Sequence, residues 1–233
     1  MRKLCITTIA LTCCVSAAHS AAAQANSDWA NLHKFAQANA ALALPAPNET
    51  RVVFMGNSII AGWAPLFAEM FPGKSYVGRG ISGQTTPQML VRFRQDVIAL
   101  KPAVVVILAG TNDIAGNTGP STLEMIEGNL ASMSEIAQAN GIRVVLCSVL
   151  PVFDYPWKPG LEPAQKIVAL NTWIRDYATV RRAQYADFHG VMADARQGLP
   201  KDLAADGVHP NLAGYKIMGP IVERAIAAAL KQK

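Results

Sequence analysis

The chain has 233 residues, enough for one large domain or two small ones, and 51% of them are apolar against 16% charged, which excludes a disordered chain. The formal charge of +5 falls to +3 when Arg2 and Lys3 are set aside with the leader described next. No remaining basic block is longer than Arg181-Arg182, so nucleic acid is not an expected partner.

Arg2 and Lys3 stand before the uncharged, mostly apolar run Leu4–Val15, and a small-residue stretch, Ser16–Ala25, follows. This is the pattern of a secretory signal peptide, with cleavage expected after Ala25 in Ala23-Gln24-Ala25. Residues 1–25 are therefore expected to be removed, leaving residues 26–233 as a single periplasmic or secreted domain with no stable membrane insertion; the apolar run is too short to span a bilayer. Cys5, Cys13 and Cys14 leave with the leader, and Cys147 alone remains, so no internal disulfide is expected. A lipid anchor on Cys14 is disfavoured because Cys13 precedes it where Gly, Ala or Ser is expected. Without paired cysteines or a His pair at helical spacing, no structural metal is expected either.

Past the leader, Trp29, Leu32, Phe35 and Ala36 recur at helical spacing, predicting an amphipathic helix over 27–41. After a Pro-rich turn at 44–50 the chain alternates. Arg51–Met55 reads as a strand, Ile59–Met70 as a helix, Ser75–Val77 as a weak strand, and Thr86–Leu100 as a helix with Pro87 in its first turn. Ala103–Ala109 is the strongest strand, and a helix over 121–139 ends at Gly141. Ile142–Val149 is a further buried strand; a loop with Pro151, Pro156, Pro159 and Pro163 then leads to a helix over 164–180. Gln184–Phe188 is the last strand and Leu212–Leu230 the closing helix. Continuously apolar strands separated by helices imply an α/β fold, a five-stranded parallel sheet covered on both faces.

In such a sheet ligands bind beyond the carboxyl ends of the strands. Those positions hold Gly56-Asn57-Ser58, Gly78-Arg79-Gly80-Ile81-Ser82-Gly83 and Gly110-Thr111-Asn112-Asp113, and Asp206-Gly207-Val208-His209-Pro210 precedes the last helix. Each piece alone has an ordinary structural use. Ser58 can cap a helix, Asn112 and Asp206 can form turns, Gly83 can permit a bend, and His209 can be a loop residue. Together they supply what acyl transfer requires: Ser58 as nucleophile, His209 as base, and Asp206 three residues earlier to orient it. The backbone N–H groups of Ser58 and Gly83 and the amide of Asn112 are then the oxyanion donors.

These blocks, VVFMGNSII, GRGISGQT, AGTND and DGVHP, resemble the SGNH, or GDSL-type, hydrolases, in the family's order and across residues 51–222. The resemblance implies a flavodoxin-like three-layer αβα sandwich and serine esterase chemistry without metal or cofactor. The GNS and RGISGQTTPQ segments resemble the carbohydrate-esterase and acetylhydrolase branch, which implies a short-chain, acetyl-type ester on a saccharide as substrate. Two positions depart from the family pattern: Asn57 replaces the usual Asp, and Gly78 the usual Asn.

Other readings stay open. Gly78, Gly80 and Gly83 also fit the dinucleotide fingerprint G-x-G-x-x-G, although no acidic residue closes a following strand at the required distance. A lysophospholipase or thioesterase would act on longer chains through the same groups. A carbohydrate-binding protein without catalysis would use Tyr155 and Trp157, on the Pro-rich loop, as a stacking rim, a role in which they would also bind a saccharide substrate. Trp63 is expected in the core, and His33 and His189 as surface or packing residues.

Overall fold

The computed structural model describes residues 28–232. The expected leader, with its three cysteines, lies outside the described residues, among which no helix is long and apolar enough to cross a membrane.

Five parallel strands form one sheet in the order β2-β1-β3-β4-β5. They are β1 (Val52–Gly56), β2 (Tyr76–Gly80), β3 (Val104–Leu108), β4 (Arg143–Cys147) and β5 (Gln184–Ala186). β1 pairs with β2 through Val52↔Tyr76 and Gly56↔Gly80, and with β3 through Val52↔Val104 and Gly56↔Leu108. This is the flavodoxin-like order, whose switch point lies between β1 and β3.

The helices are α1 (Ala36–Ala41), α2 (Ser58–Trp63), α3 (Phe67–Met70), α4 (Thr86–Asp96), α5 (Thr111–Ile114), α6 (Leu123–Ala139), α7 (Ala164–Val180), α8 (His189–Met192) and α9 (Leu212–Lys231). Because side chains alternate along a strand, each strand feeds two cores. Val53, Met55, Val105, Ile107, Val144 and Leu146 pack under Met89 and Phe93 of α4, Leu130 of α6 and Leu170 of α7. Val52, Phe54, Val104, Val106, Val145 and Cys147 pack under Ile60 and Trp63 of α2 and Met218 and Val222 of α9. Sheet and two helical layers make the expected three-layer sandwich.

Trp63 is fully buried, as expected, and stacks on Tyr215 at 5.5 Å between ring centroids. The Tyr215 hydroxyl donates to the Ile59 carbonyl at 2.9 Å, so α9 is fastened to the helix that begins at Ser58. Cys147 is buried and has no disulfide partner among the described residues, and burial raises its thiol pKa well above the ordinary value.

The predicted elements recur with ends displaced by a few residues, with one substantive correction. Residues 28–35 form turns, and only Ala36–Ala41 of the helix expected over 27–41 is helical. Trp29 and Leu32, read as its buried face, are 48% and 39% exposed. The segment is held by hydrogen bonds instead: Gln84, Gln88 and Gln95 donate side-chain N–H groups to the carbonyls of Ala30, Trp29 and Leu32.

Two glycines of the fingerprint, Gly78 and Gly80, have packing reasons. A Cβ on Gly80 would come within 2.2 Å of the Ala61 backbone nitrogen, and one on Gly78 within 2.3 Å of the Ala64 Cβ. Both let β2 lie directly against α2 and the turn after it, which accounts for Gly78 where the family pattern has a larger residue.

Candidate active site

Gly56 ends β1 at a point where a Cβ would press within 2.7 Å of the Leu108 carbonyl. Asn57 then caps α2, its Oδ1 accepting from the Ile59 N–H at 3.1 Å. A carboxamide performs this capping without charge, so the departure from Asp keeps the turn. Ser58 opens α2 above the strand ends, and its Oγ lies 2.9 Å from His209 Nε2.

His209 comes from the other end of the chain, in the turn before α9. Its Nδ1 lies 2.6 Å from one Asp206 oxygen, while the other accepts the backbone N–H groups of Val208 and His209 at 3.0 and 2.8 Å. Gly207, with φ +75°, provides the left-handed residue that this turn needs. Burial pushes the Asp206 carboxyl up, but the bonds from the His209 ring and the two backbone N–H groups outweigh it and hold the pKa below the usual carboxylate value. Asp206 is thus ionised while it accepts from the imidazole, an arrangement that leaves Nε2 free to accept from Ser58.

Gly83 has φ +78° in a turn closed by the Gln84 N–H on the Ile81 carbonyl at 3.3 Å. Asn112 is 3% exposed, and its Nδ2 donates to the Gln84 carbonyl at 2.9 Å. The loops after β1, β2 and β3 are thereby drawn together at one edge, with Ser58, Gly83 and Asn112 on them.

Of the two aromatic residues expected on a rim, one is corrected. Tyr155 is fully buried, with its hydroxyl at 2.9 Å from both the hydroxyl and the carbonyl of Thr111. It fastens the Pro-rich loop to α5 and backs Trp157, whose ring lies 5.1 Å from it. Trp157 is 45% exposed, with its ring centroid 6.1 Å from that of His209. Beyond Asp206 a cleft of about 180 Å³ is lined by Phe153, Asp154, Arg196, Leu199 and Lys201.

His33 is exposed and pairs with Asp28. His189 is half-buried; burial lowers its pKa, and its Nε2 has no hydrogen-bond partner among the described residues. Among the described residues no cluster of three His, Cys, Asp or Glu side chains could hold a metal ion.

Two charged residues that the sequence reading did not assign shape the site. Arg92 has no exposed side-chain surface and donates to Gln84 Oε1 at 2.6 Å, Asp96 at 2.9 Å, and the carbonyls of Gly56 and Arg79 at 3.0 and 2.9 Å. Its signal was a charge on the apolar face of a helix, flanked by Met89 and Phe93. Asp113, beside Asn112, accepts the N–H of Thr86 at 2.9 Å and its hydroxyl at 2.5 Å, anchoring the start of α4.

A family model described as the GDSL-like lipase/acylhydrolase family matches residues 54–217. The chain is 46% identical to a GDSL-like lipase from Bacteroides thetaiotaomicron of known crystal structure, with a TM-score of 0.83, covering 86% of this chain and 99% of that one. Esterase TesA of Pseudomonas aeruginosa is 29% identical over 164 residues, 68% of this chain and 75% of that protein. An acetylxylan esterase of Xylanibacter ruminicola is 28% identical over 221 residues; the match covers 78% of this chain but 45% of that longer protein.

Asp113 yields a stability prediction. Burial raises its pKa to about 6 against the lowering effect of the Thr86 bonds. The unfolded carboxyl titrates near 4, so between these values the folded state holds a proton that the unfolded state has lost. The stability that this proton contributes is full below about pH 4 and is lost as pH rises through about 6, by at most about 1.4 kcal/mol per pH unit. Urea unfolding at pH 4.5 and 6.5 should therefore show the native protein losing stability relative to Asp113→Asn as pH rises. Parallel changes in the two proteins would mean that Asp113 titrates alike folded and unfolded.

Proposed function

The chain belongs to the GDSL-like lipase/acylhydrolase family, and from that premise we propose that it is a serine esterase acting on short acyl, chiefly acetyl, esters of a saccharide. The observation that carries the mechanism is the continuous hydrogen-bonded path from Ser58 Oγ through the His209 ring to the Asp206 carboxylate. His209 Nε2 takes the hydroxyl proton as Ser58 Oγ attacks the ester carbonyl carbon. Asp206 holds the ring in the tautomer that presents a bare Nε2, and its negative charge stabilises the imidazolium that forms. The carbonyl oxygen, now an oxyanion, is met by the N–H groups of Ser58 and Gly83 and by the Asn112 amide. A donor of this kind supplies roughly a hundred- to a thousandfold in turnover. The imidazolium returns its proton to the departing alcohol, leaving an acyl-Ser58. His209 then activates a water in the same way, and the acid leaves.

The substrate side of the proposal rests on Trp157 and on the kind of surface around the site. An exposed indole beside the base suits stacking against a sugar ring. The cleft beyond Asp206 sets Arg196, Lys201 and Asp154 alongside Phe153 and Leu199, a mixed surface that can meet both the hydroxyls and the C–H faces of a sugar. The named activities of the two curated relatives, an esterase and an acetylxylan esterase, agree with this reading. We also propose that the chain is exported and that Cys147 stays reduced. Mass spectrometry of protein recovered from the exporting host should find a start near Asn26; retention of Met1–Ala25, or a lipid on Cys14, would refute this.

Ser58→Ala and His209→Ala should each lower turnover on p-nitrophenyl acetate by roughly a thousandfold or more, and combining them should cost little further. Asp206→Asn should cost less than either. Substantial hydrolysis by Ser58→Ala would overturn the assignment, and a native protein without esterase activity would favour the carbohydrate-binding alternative.

The specificity constant should drop steeply from acetyl through butyrate to octanoate esters. Trp157→Ala should raise KM for an acetylated oligosaccharide more than it lowers kcat, because stacking is equal in ground and transition states. A rate that climbs with chain length would turn the assignment to a lysophospholipase or thioesterase while leaving the serine mechanism in place.

A further inference from the structure

Gln84 follows Gly83 and is 2% exposed, and its side-chain nitrogen and oxygen and its main-chain N–H and carbonyl each make a hydrogen bond. Its side-chain N–H donates to the Ala30 carbonyl at 2.8 Å, and its side-chain oxygen accepts from Arg92 Nε at 2.6 Å. Its main-chain N–H closes the turn on Ile81, and its main-chain carbonyl accepts from Asn112 Nδ2 at 2.9 Å. We propose that Gln84 is a positioning residue of the oxyanion site: its side chain, clamped between Arg92 and the N-terminal segment, holds its main-chain carbonyl where it fixes the Asn112 carboxamide. This rests on the reading of Asn112 as an oxyanion donor.

The physical reason lies in the valence of the amide. A carboxamide nitrogen carries two N–H groups. One of those on Asn112 is committed to Gln84, which leaves the other for the substrate oxygen. With the first N–H anchored, the planar group is held in one orientation before substrate arrives; unanchored, it samples other rotamers, and a misplaced donor forfeits much of its value. The carbonyl of Gln84 can serve as that anchor only if its own peptide is fixed. Both ends of its side chain are tied, one to a buried guanidinium and the other to a carbonyl 54 residues upstream. The segment around Ala30 is thereby a working part of the site.

The test measures kcat and KM on p-nitrophenyl acetate, with circular dichroism and Tm, for variants of the mature protein. Asn112→Ala should lower kcat roughly a hundred- to a thousandfold. Gln84→Met, which keeps the shape and removes both side-chain bonds, should lower kcat roughly ten- to a hundredfold with KM unchanged. The double variant should be no slower than Asn112→Ala alone, because no carboxamide remains to be held. Gln84→Glu keeps an acceptor for Arg92 and loses the donor to Ala30; its loss should be smaller, and it serves if Gln84→Met does not fold. Gln95→Met, which frees only the Leu32 carbonyl of the same segment, should keep native kcat.

A folded Gln84 variant with native kcat beside an impaired Asn112→Ala would overturn the proposal. So would losses that multiply in the double variant, or a Gln95→Met defect equal to that of Gln84→Met, which would reduce the effect to general loosening. Native kcat in Asn112→Ala would instead remove the oxyanion reading, and the proposal would fall with it.

Discussion

Arg92 holds its guanidinium where no water reaches it, and the charge is compensated from four sides. Asp96 supplies the counter-charge one helical turn on, and Gln84 with the carbonyls of Gly56 and Arg79 supply the acceptors. Burial pulls the guanidinium pKa down and the Asp96 bond pulls it back up. Removing one partner of such a pair typically costs about 3–5 kcal/mol, because the other charge is left buried and alone. The carbonyls that Arg92 takes belong to the ends of β1 and β2, and that of Gly56 also accepts the Ile81 N–H at 3.1 Å. A single planar fork thus sets the relative height of the loops that carry Ser58 and Gly83.

The other half of the site is positioned by quite different means. Asp206 and His209 are joined to each other through a tight turn and are about two-fifths exposed, so their mutual geometry is local. Their distance from Ser58 depends on how α9 lies against α2. That contact is aromatic and dry: Trp63 stacks on Tyr215, and Gly62 leaves the space in which the Tyr215 hydroxyl reaches Ile59. Directional bonds with a buried charge therefore govern the proposed oxyanion side, and apolar packing governs the proposed base side. Each kind of force is used where it is strong, the first inside the sheet edge and the second between two amphipathic helices.

What the sequence made legible were the places where only a few residue types can serve. Gly83 and Gly207 have positive φ, Asn57 is a helix cap, and continuously apolar strands can only be buried between layers. The four blocks around them led directly to Ser58, Gly83, Asn112, Asp206 and His209. Less legible was anything whose partner lies far away in the chain. Trp29, Leu32 and Phe35 have helical spacing, but the segment is held by glutamine side chains from more than fifty residues on, and its Phe35 ring lies under Arg79 at 4.8 Å. Tyr155 and Trp157 look equivalent on a Pro-rich loop. Only Thr111, whose hydroxyl and carbonyl give the Tyr155 hydroxyl buried partners, separates them. Arg92 broke the apolar pattern of its helix, and that break pointed to the most connected side chain at the strand ends.

The separation of 151 positions between Ser58 and His209 has a consequence for the order in which the chain becomes competent. All five strands are complete by Ala186, so a ribosome has delivered the whole sheet before the imidazole emerges. In the proposed mechanism, until α9 closes over Trp63 the Ser58 hydroxyl has no base to take its proton. Such a long-range contact is also among the slowest for a chain to find, since the entropy of closing the loop must be overcome first. In the proposed mechanism, hydrolysis is therefore a late event in the life of the polypeptide. The appearance of turnover during refolding would time the docking of one terminal helix and not the assembly of the sheet beneath it.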